Sequence, residues 1–155
     1  MEEKVLIEKV ENLKDAKTCD ELLTKLVQSE RIYNENINDK YVVNNWFEKI
    51  YNKNNNIIYV AKDNNKIVGY IYCKITSIEN GPTIQLEALI DGIYVLEDYR
   101  NQGIATALIN KIKEWAKQKN IKYLLLNVLE ENENAIRLYY KEGFLDFQKE
   151  LRIKI

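Results

Sequence analysis

Ile90-Asp91-Gly92-Ile93-Tyr94-Val95-Leu96-Glu97-Asp98-Tyr99-Arg100-Asn101-Gln102-Gly103-Ile104-Ala105-Thr106-Ala107-Leu108-Ile109 decides how the chain is read. The run begins apolar and β-prone and passes through a polar turn. It then places apolar residues at 104, 105, 108, 109, 112, 115 and 116, which is the helical period. A strand, a tight loop and a helix start follow one another. Unpaired N–H groups and a partial positive charge collect at such a helix start, and Gly103 lets a ligand reach the backbone with no Cβ in the way. A phosphate is the anion that fits best.

Neither G-x-x-x-x-G-K-[ST] nor G-x-G-x-x-G occurs, so a Walker A loop and the dinucleotide fingerprint are both excluded. What remains is Arg100-x-x-Gly103-x-Ala105 after Ile93-Tyr94-Val95. A second motif lies downstream, Asn132-x-x-Ala135-Ile136-x-Leu138-Tyr139-x-Lys141-x-Gly143-Phe144. In this order and separation the two resemble the pyrophosphate loop and the following helix of the GNAT superfamily of acyl-CoA-dependent N-acyltransferases. They cover about 90–144; the N-terminal half is similar to the family only in its pattern of elements.

The resemblance implies an α/β (α+β) fold: a mixed, mostly antiparallel sheet flanked by helices, with a splayed pair of parallel strands holding CoA. It implies acetyl-CoA as co-substrate, with no metal. The CoA-binding residues would be Ile93, Tyr94, Val95, Arg100, Asn101, Gln102, Gly103, Ile104, Ala105, Thr106, Asn132 and Tyr139. Tyr139 would protonate the departing thiolate. Asp91, nine residues before Arg100, takes the place of the acid that polyamine acetyltransferases carry on this strand, and Glu87 is its substitute. Both carboxylates also read simply as solvated strand residues, and Tyr139 as a core aromatic beside Ala135 and Leu138.

Composition narrows the alternatives. The 155 residues suit one domain across 1–155, long enough to bury a core of its own. Twenty-three basic residues against 24 acidic ones give no field that would gather nucleic acid or an anionic membrane. Cys19 and Cys73 are far apart, which fits neither a metal cluster nor a disulfide framework and suits a reducing cytoplasm. Met1 to Lys4 lacks the basic start of an export signal, and no 18 apolar residues run together. Histidine is absent, so carboxylates, Tyr, Lys, Cys or water must do any proton transfer. The expected partner is a primary amine of a small molecule (polyamine-like, aminoglycoside or amino acid), a peptide or a protein, and a homodimer is allowed for. A non-catalytic acyl-CoA sensor is the alternative from another class.

In chain order, a strand is expected at Val5 to Val10. A helix capped by Asp15 or Thr18 should carry Cys19, Leu22, Leu23, Leu26 and Val27 on its apolar face. A second helix, capped by Asn38 or Asp39, should run through Val42, Val43, Trp46, Phe47, Ile50 and Tyr51. Strands follow at 57–61 and 67–75 around an Asp63-Asn64-Asn65-Lys66 hairpin turn, with a bulge at Gly69. A long strand at 84–95 has Gly92 as a bulge or close approach. A helix to about Lys119, a strand at 121–129 and a helix at 135–142 ended by Gly143 come next. A last strand or strand pair is expected at 144–155, giving β-α-α-β-β-β-α-β-α-β. The family resemblance implies that the acceptor meets about Arg31 to Lys40 and Glu79 to Thr83, and Glu30, Glu35, Asp39 and Glu79 there supply negative charge that would attract a cationic amine.

Overall fold

The computed structural model describes residues 5–155, so the expectation about Met1 to Lys4 lies outside the described residues. Five strands form one sheet in the order β1 (Leu6–Lys9), β2 (Asn56–Asp63), β3 (Lys66–Ile75), β4 (Glu87–Val95) and β5 (Tyr123–Leu126). Every neighbouring pair is antiparallel except β4 and β5, which run parallel. Three helices flank it: α1 (Leu13–Ser29), α2 (Ile104–Gln118) and α3 (Glu133–Lys141). The β2–β3 hairpin turns on Asn64 and Asn65, both at positive φ, as a two-residue primed turn requires.

Each sheet face has its own core. Ile104, Leu108, Ile109, Ile112 and Trp115 of α2 pack on Val68, Ile71, Cys73, Ala88 and Ile90. Ala16, Cys19 and Leu22 of α1 pack on Ile58, Val60, Tyr70 and Tyr72, with Phe47 wedged edge-on against both tyrosines at 5.7 and 5.3 Å. The strand alternation at 67–75 assigns residues to these two faces. Cys19 and Cys73 are buried, and burial raises both thiols, Cys73 to about 12, so neither is a reactive thiolate.

Four expectations are corrected. The cap of α1 is Asn12, whose side chain accepts from the Asp15 amide, rather than Asp15 or Thr18. Residues 38–51 hold only a 3-10 turn at Phe47–Lys49 instead of a second helix. Three polar side chains spaced four apart on α1 take the backbone groups a helix would have used. Asp20 accepts from the Phe47 amide, Thr24 Oγ1 accepts from the Val43 amide, and Gln28 donates to the carbonyls of Asn38 and Tyr41. Asn45, at φ 57°, breaks whatever helical tendency is left. β4 begins at Glu87 rather than Ile84, and residues 145–155 pair with no strand among the described residues.

Two bulges shape the sheet. One leaves Val68 unpaired beside Gly69, as expected there. The other leaves Asp91 unpaired between Gly92, opposite Tyr72, and Ile90, opposite Cys73. Gly92 is also a close approach, but to a side chain: a Cβ there would lie 2.5 Å from the Tyr70 hydroxyl, which is buried and has no hydrogen-bond partner among the described residues. Gly92→Ala should therefore cost about 1–3 kcal/mol of unfolding free energy by overpacking. Tyr70→Phe alone should be nearly neutral, since it removes an unpaired hydroxyl, and should recover most of the loss in the double variant. Additive losses in urea denaturation would show that the Tyr70 contact is not the reason for glycine.

Candidate active site

Beyond Ile90 and Leu126 the parallel pair β4 and β5 ends, while β4 continues to Val95 on its β3 side. The edge of β4 facing β5 is consequently unladdered from Asp91 to Val95. That is the splay expected of a strand pair that admits an extended ligand, and the N–H and C=O groups of Ile93 and Val95 lie on it. The Val95 carbonyl accepts from Arg100 Nε at 2.9 Å, and the guanidinium sits 5.2 Å from the Tyr94 ring centre. Arg100 thus braces the strand end against the loop it begins.

The loop then turns on two left-handed residues, Asn101 at φ 61° and Gly103 at φ 80°. Left-handed residues alternating with right-handed or extended ones point successive amides into one concavity, which suits an anion. The three helices differ in how their first amides are satisfied. Asn12 caps α1 and Asn132 caps α3 through side-chain oxygens, whereas α2 has no side-chain cap. Its first ladder bond runs from the Ala107 amide to the Gly103 carbonyl, so the amides of Ile104, Ala105 and Thr106 precede the ladder. Apart from Gly103 itself and its two chain neighbours, no heavy atom of the described residues lies within 4 Å of where a Gly103 Cβ would sit. Open space, uncapped amides and a helix dipole coincide, and this fits a pyrophosphate.

A hollow of about 470 Å³ adjoins the loop, lined by Arg100, Asn101, Asn134, Arg137, Leu138 and Lys141. Arg137 and Lys141 were not among the expected binding residues, although their i, i+4 spacing places both on one face of α3 beside Arg100. Three cations converge on the hollow. Thr106 was expected to bind the cofactor, but its hydroxyl donates to Glu142 Oε1 at 2.6 Å, leaving its amide for a ligand. The Glu142 carbonyl also accepts from Lys113 Nζ, so the end of α3 is clamped to α2. Gln102 Nε2 donates to the Asp98 carbonyl, and Asn132 Oδ1 is engaged as the α3 cap.

Tyr139 is half-buried at this clamped end, edge-on to Phe144 at 6.0 Å, and its hydroxyl has no hydrogen-bond partner among the described residues. Burial, and then the charge of Glu30, push its phenol up to about 12. Tyr140 is exposed and donates to Asp146. The adjacent tyrosines thus differ in burial and in hydrogen bonding.

Asp91 stands on the bulge with its carboxylate 3.0 Å from Lys74 Nζ, both side chains about two-fifths exposed. An incoming ammonium would compete with Lys74 for the same oxygens. The bulge removes the regular spacing that would have aligned Glu87 with Asp91. Glu87 stays at the far end of β4, opposite Tyr123, with its amide donating to Ser77 Oγ. Glu30, immediately after α1, was expected only as one of several loop charges. It is half-buried, its carboxyl is raised by burial, and its charge raises the phenols of Tyr139 and Tyr70. Nothing in the local sequence could have shown that the end of α1 brings a carboxylate toward α3. Among the described residues no group of His, Cys, Asp or Glu could hold a metal ion, and no helix is long and apolar enough to cross a membrane.

Gly103→Val should abolish CoA binding in calorimetry. Branching at positive φ costs roughly 1–2 kcal/mol, and a side chain would occupy the open space above the amides. The far-ultraviolet spectrum should keep its helical signal. Unchanged CoA affinity would remove the loop from the site.

Comparison with known proteins agrees with this geometry. The Bacillus subtilis protein streptothricin acetyltransferase A is 40% identical over 81 residues, which is 52% of this chain and 43% of that protein. Mouse thialysine N-epsilon-acetyltransferase is 37% identical over 94 residues, 54% of this chain and 53% of that protein. The matched stretches span about half the length of these relatives. Among solved structures, the Bacillus halodurans protein BH1408, as a tetramutant, superposes with a TM-score of 0.85 at 19% identity over 97% of this chain and 99% of that one. The aminoglycoside N-acetyltransferase AAC(6')-Iy in complex with CoA gives 0.73 at 17%, over 96% and 98%. At such identities the likeness speaks for the fold. The model of the Acetyltransferase (GNAT) family matches residues 21–144, and the chain belongs to that family.

Proposed function

We propose that the protein is an acetyl-CoA-dependent N-acetyltransferase, one domain across residues 1–155, acting in the cytoplasm on a primary amine. The observation that carries this reading is the continuity of the unladdered β4 edge with the uncapped amides of α2 and the three cations beside them. A thin, polar ligand arm with phosphates at one end matches that track. Ile93 and Val95 offer backbone partners for the arm, and residues 100–106 with Arg137 and Lys141 hold the phosphates.

Acyl transfer from a thioester needs the amine deprotonated and the sulfur stabilised as it leaves. An alkylammonium of pKa about 10 is neutral in only about one molecule per thousand at pH 7, so its proton must be collected. Asp91 serves as that base through a water, with Glu87 as the substitute from the same strand and Glu30 as the carboxylate nearest Tyr139 in electrostatic effect. The nitrogen then bonds the acyl carbon and the carbon–sulfur bond breaks. Tyr139 is the proton donor to that sulfur. A phenol held near 12 is protonated at neutral pH but is a weaker acid than a thiol near 8.5. It therefore acts while the carbon–sulfur bond is breaking, as a donor shared with the sulfur.

The acceptor is a primary amine of a small molecule or a protein: a polyamine, an aminoglycoside, an amino acid, a peptide N-terminus or a lysine side chain. Two relatives carry an amine in their names, streptothricin in one and thialysine in the other. Acidic side chains at Glu30, Glu35, Asp39 and Glu79 favour a cationic one. A panel of amines with acetyl-CoA, followed by thiol release, separates the enzyme from a sensor. The enzyme frees CoA only when an amine is supplied, whereas a sensor is merely stabilised against heat by acetyl-CoA.

Tyr139→Phe should leave thermal stability and acetyl-CoA affinity near wild type while lowering kcat by roughly 10²–10³-fold, and Tyr140→Phe should remain active. Normal turnover of Tyr139→Phe under conditions where chemistry limits the rate would end the proton-donor role.

Asp91→Asn should lower kcat/KM by about 10²-fold at neutral pH, with partial recovery as pH rises and the free amine deprotonates by itself. An unchanged pH–rate profile in Asp91→Asn, with that behaviour appearing in Glu30→Gln or Glu87→Gln instead, would reassign the base.

A further inference from the structure

Among the described residues, two buried side-chain oxygens lack a hydrogen-bond partner: the Tyr70 hydroxyl and Asn56 Oδ1. Packing beneath Gly92 accounts for the first. The second has no such reason. Asn56 is 7% exposed, and its Nδ2 donates to Asn55 Oδ1 at 3.1 Å, which leaves the oxygen over. A buried acceptor without a donor is destabilising, and an apolar side chain of similar shape would avoid that cost.

The sheet register supplies a donor. Asn56 stands directly opposite Lys74, so their Cβ atoms lie roughly 5 Å apart on one face. It is the α1 face, on which Ile58 meets Tyr72 and Val60 meets Tyr70. The Lys74 ammonium is turned the other way, toward β4, and pairs with Asp91 at 3.0 Å. Both side chains of that pair are about two-fifths exposed, so it holds weakly. Lys74 thus stands between two oxygen partners, one on each neighbouring strand, and uses only one of them. The full charge of Asp91 decides the choice while no other cation is present.

An amine acceptor reverses the balance. It arrives as an ammonium, and Asp91 is the carboxylate proposed to collect its proton. Two cations on one carboxylate repel each other, so Lys74 must leave. We propose that Lys74 is a placeholder for the acceptor's ammonium, released from Asp91 as the acceptor binds and received by Asn56 Oδ1. The charge-assisted hydrogen bond gained at Asn56 offsets the ion pair lost at Asp91. Lys74 is a positioning residue in this scheme, and it favours acceptors that carry positive charge, because only a cation takes its place. The scheme rests on the reading of Asp91 as the group that meets the amine.

The acceptor for the test is the amine turned over fastest in the panel with acetyl-CoA. Asn56→Leu should raise its KM about tenfold, the scale of one hydrogen bond to a charged group, with kcat changed by less than about twofold. With Lys74→Met already present, Asn56→Leu should leave KM unchanged, because no ammonium then needs the amide. An equal rise in both backgrounds, or no rise in either, overturns the placeholder and leaves the transfer reading intact. Should leucine not fold at this position, Asn56→Val, β-prone and equally without an acceptor, replaces it. A second arm needs no acceptor. Asp91→Asn removes the competing charge, so in that background Asn56→Leu and Lys74→Met should be coupled in their urea midpoints, whereas with Asp91 present they should be additive. Additivity in Asp91→Asn overturns the proposal. A wild-type protein that turns over no amine in the panel removes the transfer reading, and the placeholder with it.

Discussion

β4 lets go of β5 after Ile90, and the rest of the site depends on that release. The bulge at Asp91 adds a residue to β4 just there, increasing the local twist so that the two parallel strands diverge. Gly92 completes the device by leaving room for the Tyr70 hydroxyl beneath it. Tyr70 is held by Phe47, and Phe47 by the Asp20 carboxylate that accepts from its amide. A packing contact on the α1 side of the sheet thereby sets the course of a strand edge that a ligand is proposed to read.

The far end of that edge is governed by backbone electrostatics. Two helix starts each satisfy one amide with an asparagine side chain, and the third has no side-chain cap and opens on a left-handed glycine, which leaves its amides for the proposed ligand. Leaving donors uncapped costs stability at that terminus, on the scale of a helix cap, roughly 1 kcal/mol. The surrounding structure offsets this by anchoring α2 firmly: Leu108, Ile109 and Ile112 are wholly buried, and Glu142 ties α2 to α3 through Thr106 and Lys113. The same clamp fixes the helix that carries Tyr139, so the proposed phosphate end and the proposed proton donor are positioned by one set of contacts.

Legibility in the sequence followed the range of the interactions. The loop 100–105, the helix after it, the hairpin at Asn64-Asn65 and the glycine that ends α3 rest on neighbours a few residues apart, and all of them were readable. Arg137 and Lys141 were readable too, from their shared helix face, but only once the hollow beside them gave that face a purpose. Glu30 was not, because its environment is made by α3, more than a hundred residues further along.

By itself, then, the sequence determined the periods, the turns and the two motifs, because apolar spacing and left-handed turn residues act within a few residues of chain. The tertiary structure alone decided three things. It denied a helix to residues 38–51, since Asp20, Thr24 and Gln28 bind that backbone from 10 to 27 residues away. It set the bulge on Asp91, which redirects one carboxylate and separates it from Glu87. It also left the amphipathic tail unpaired, because a strand is defined by the partner that accepts its hydrogen bonds, and periodicity specifies the buried face without specifying which sheet will bury it.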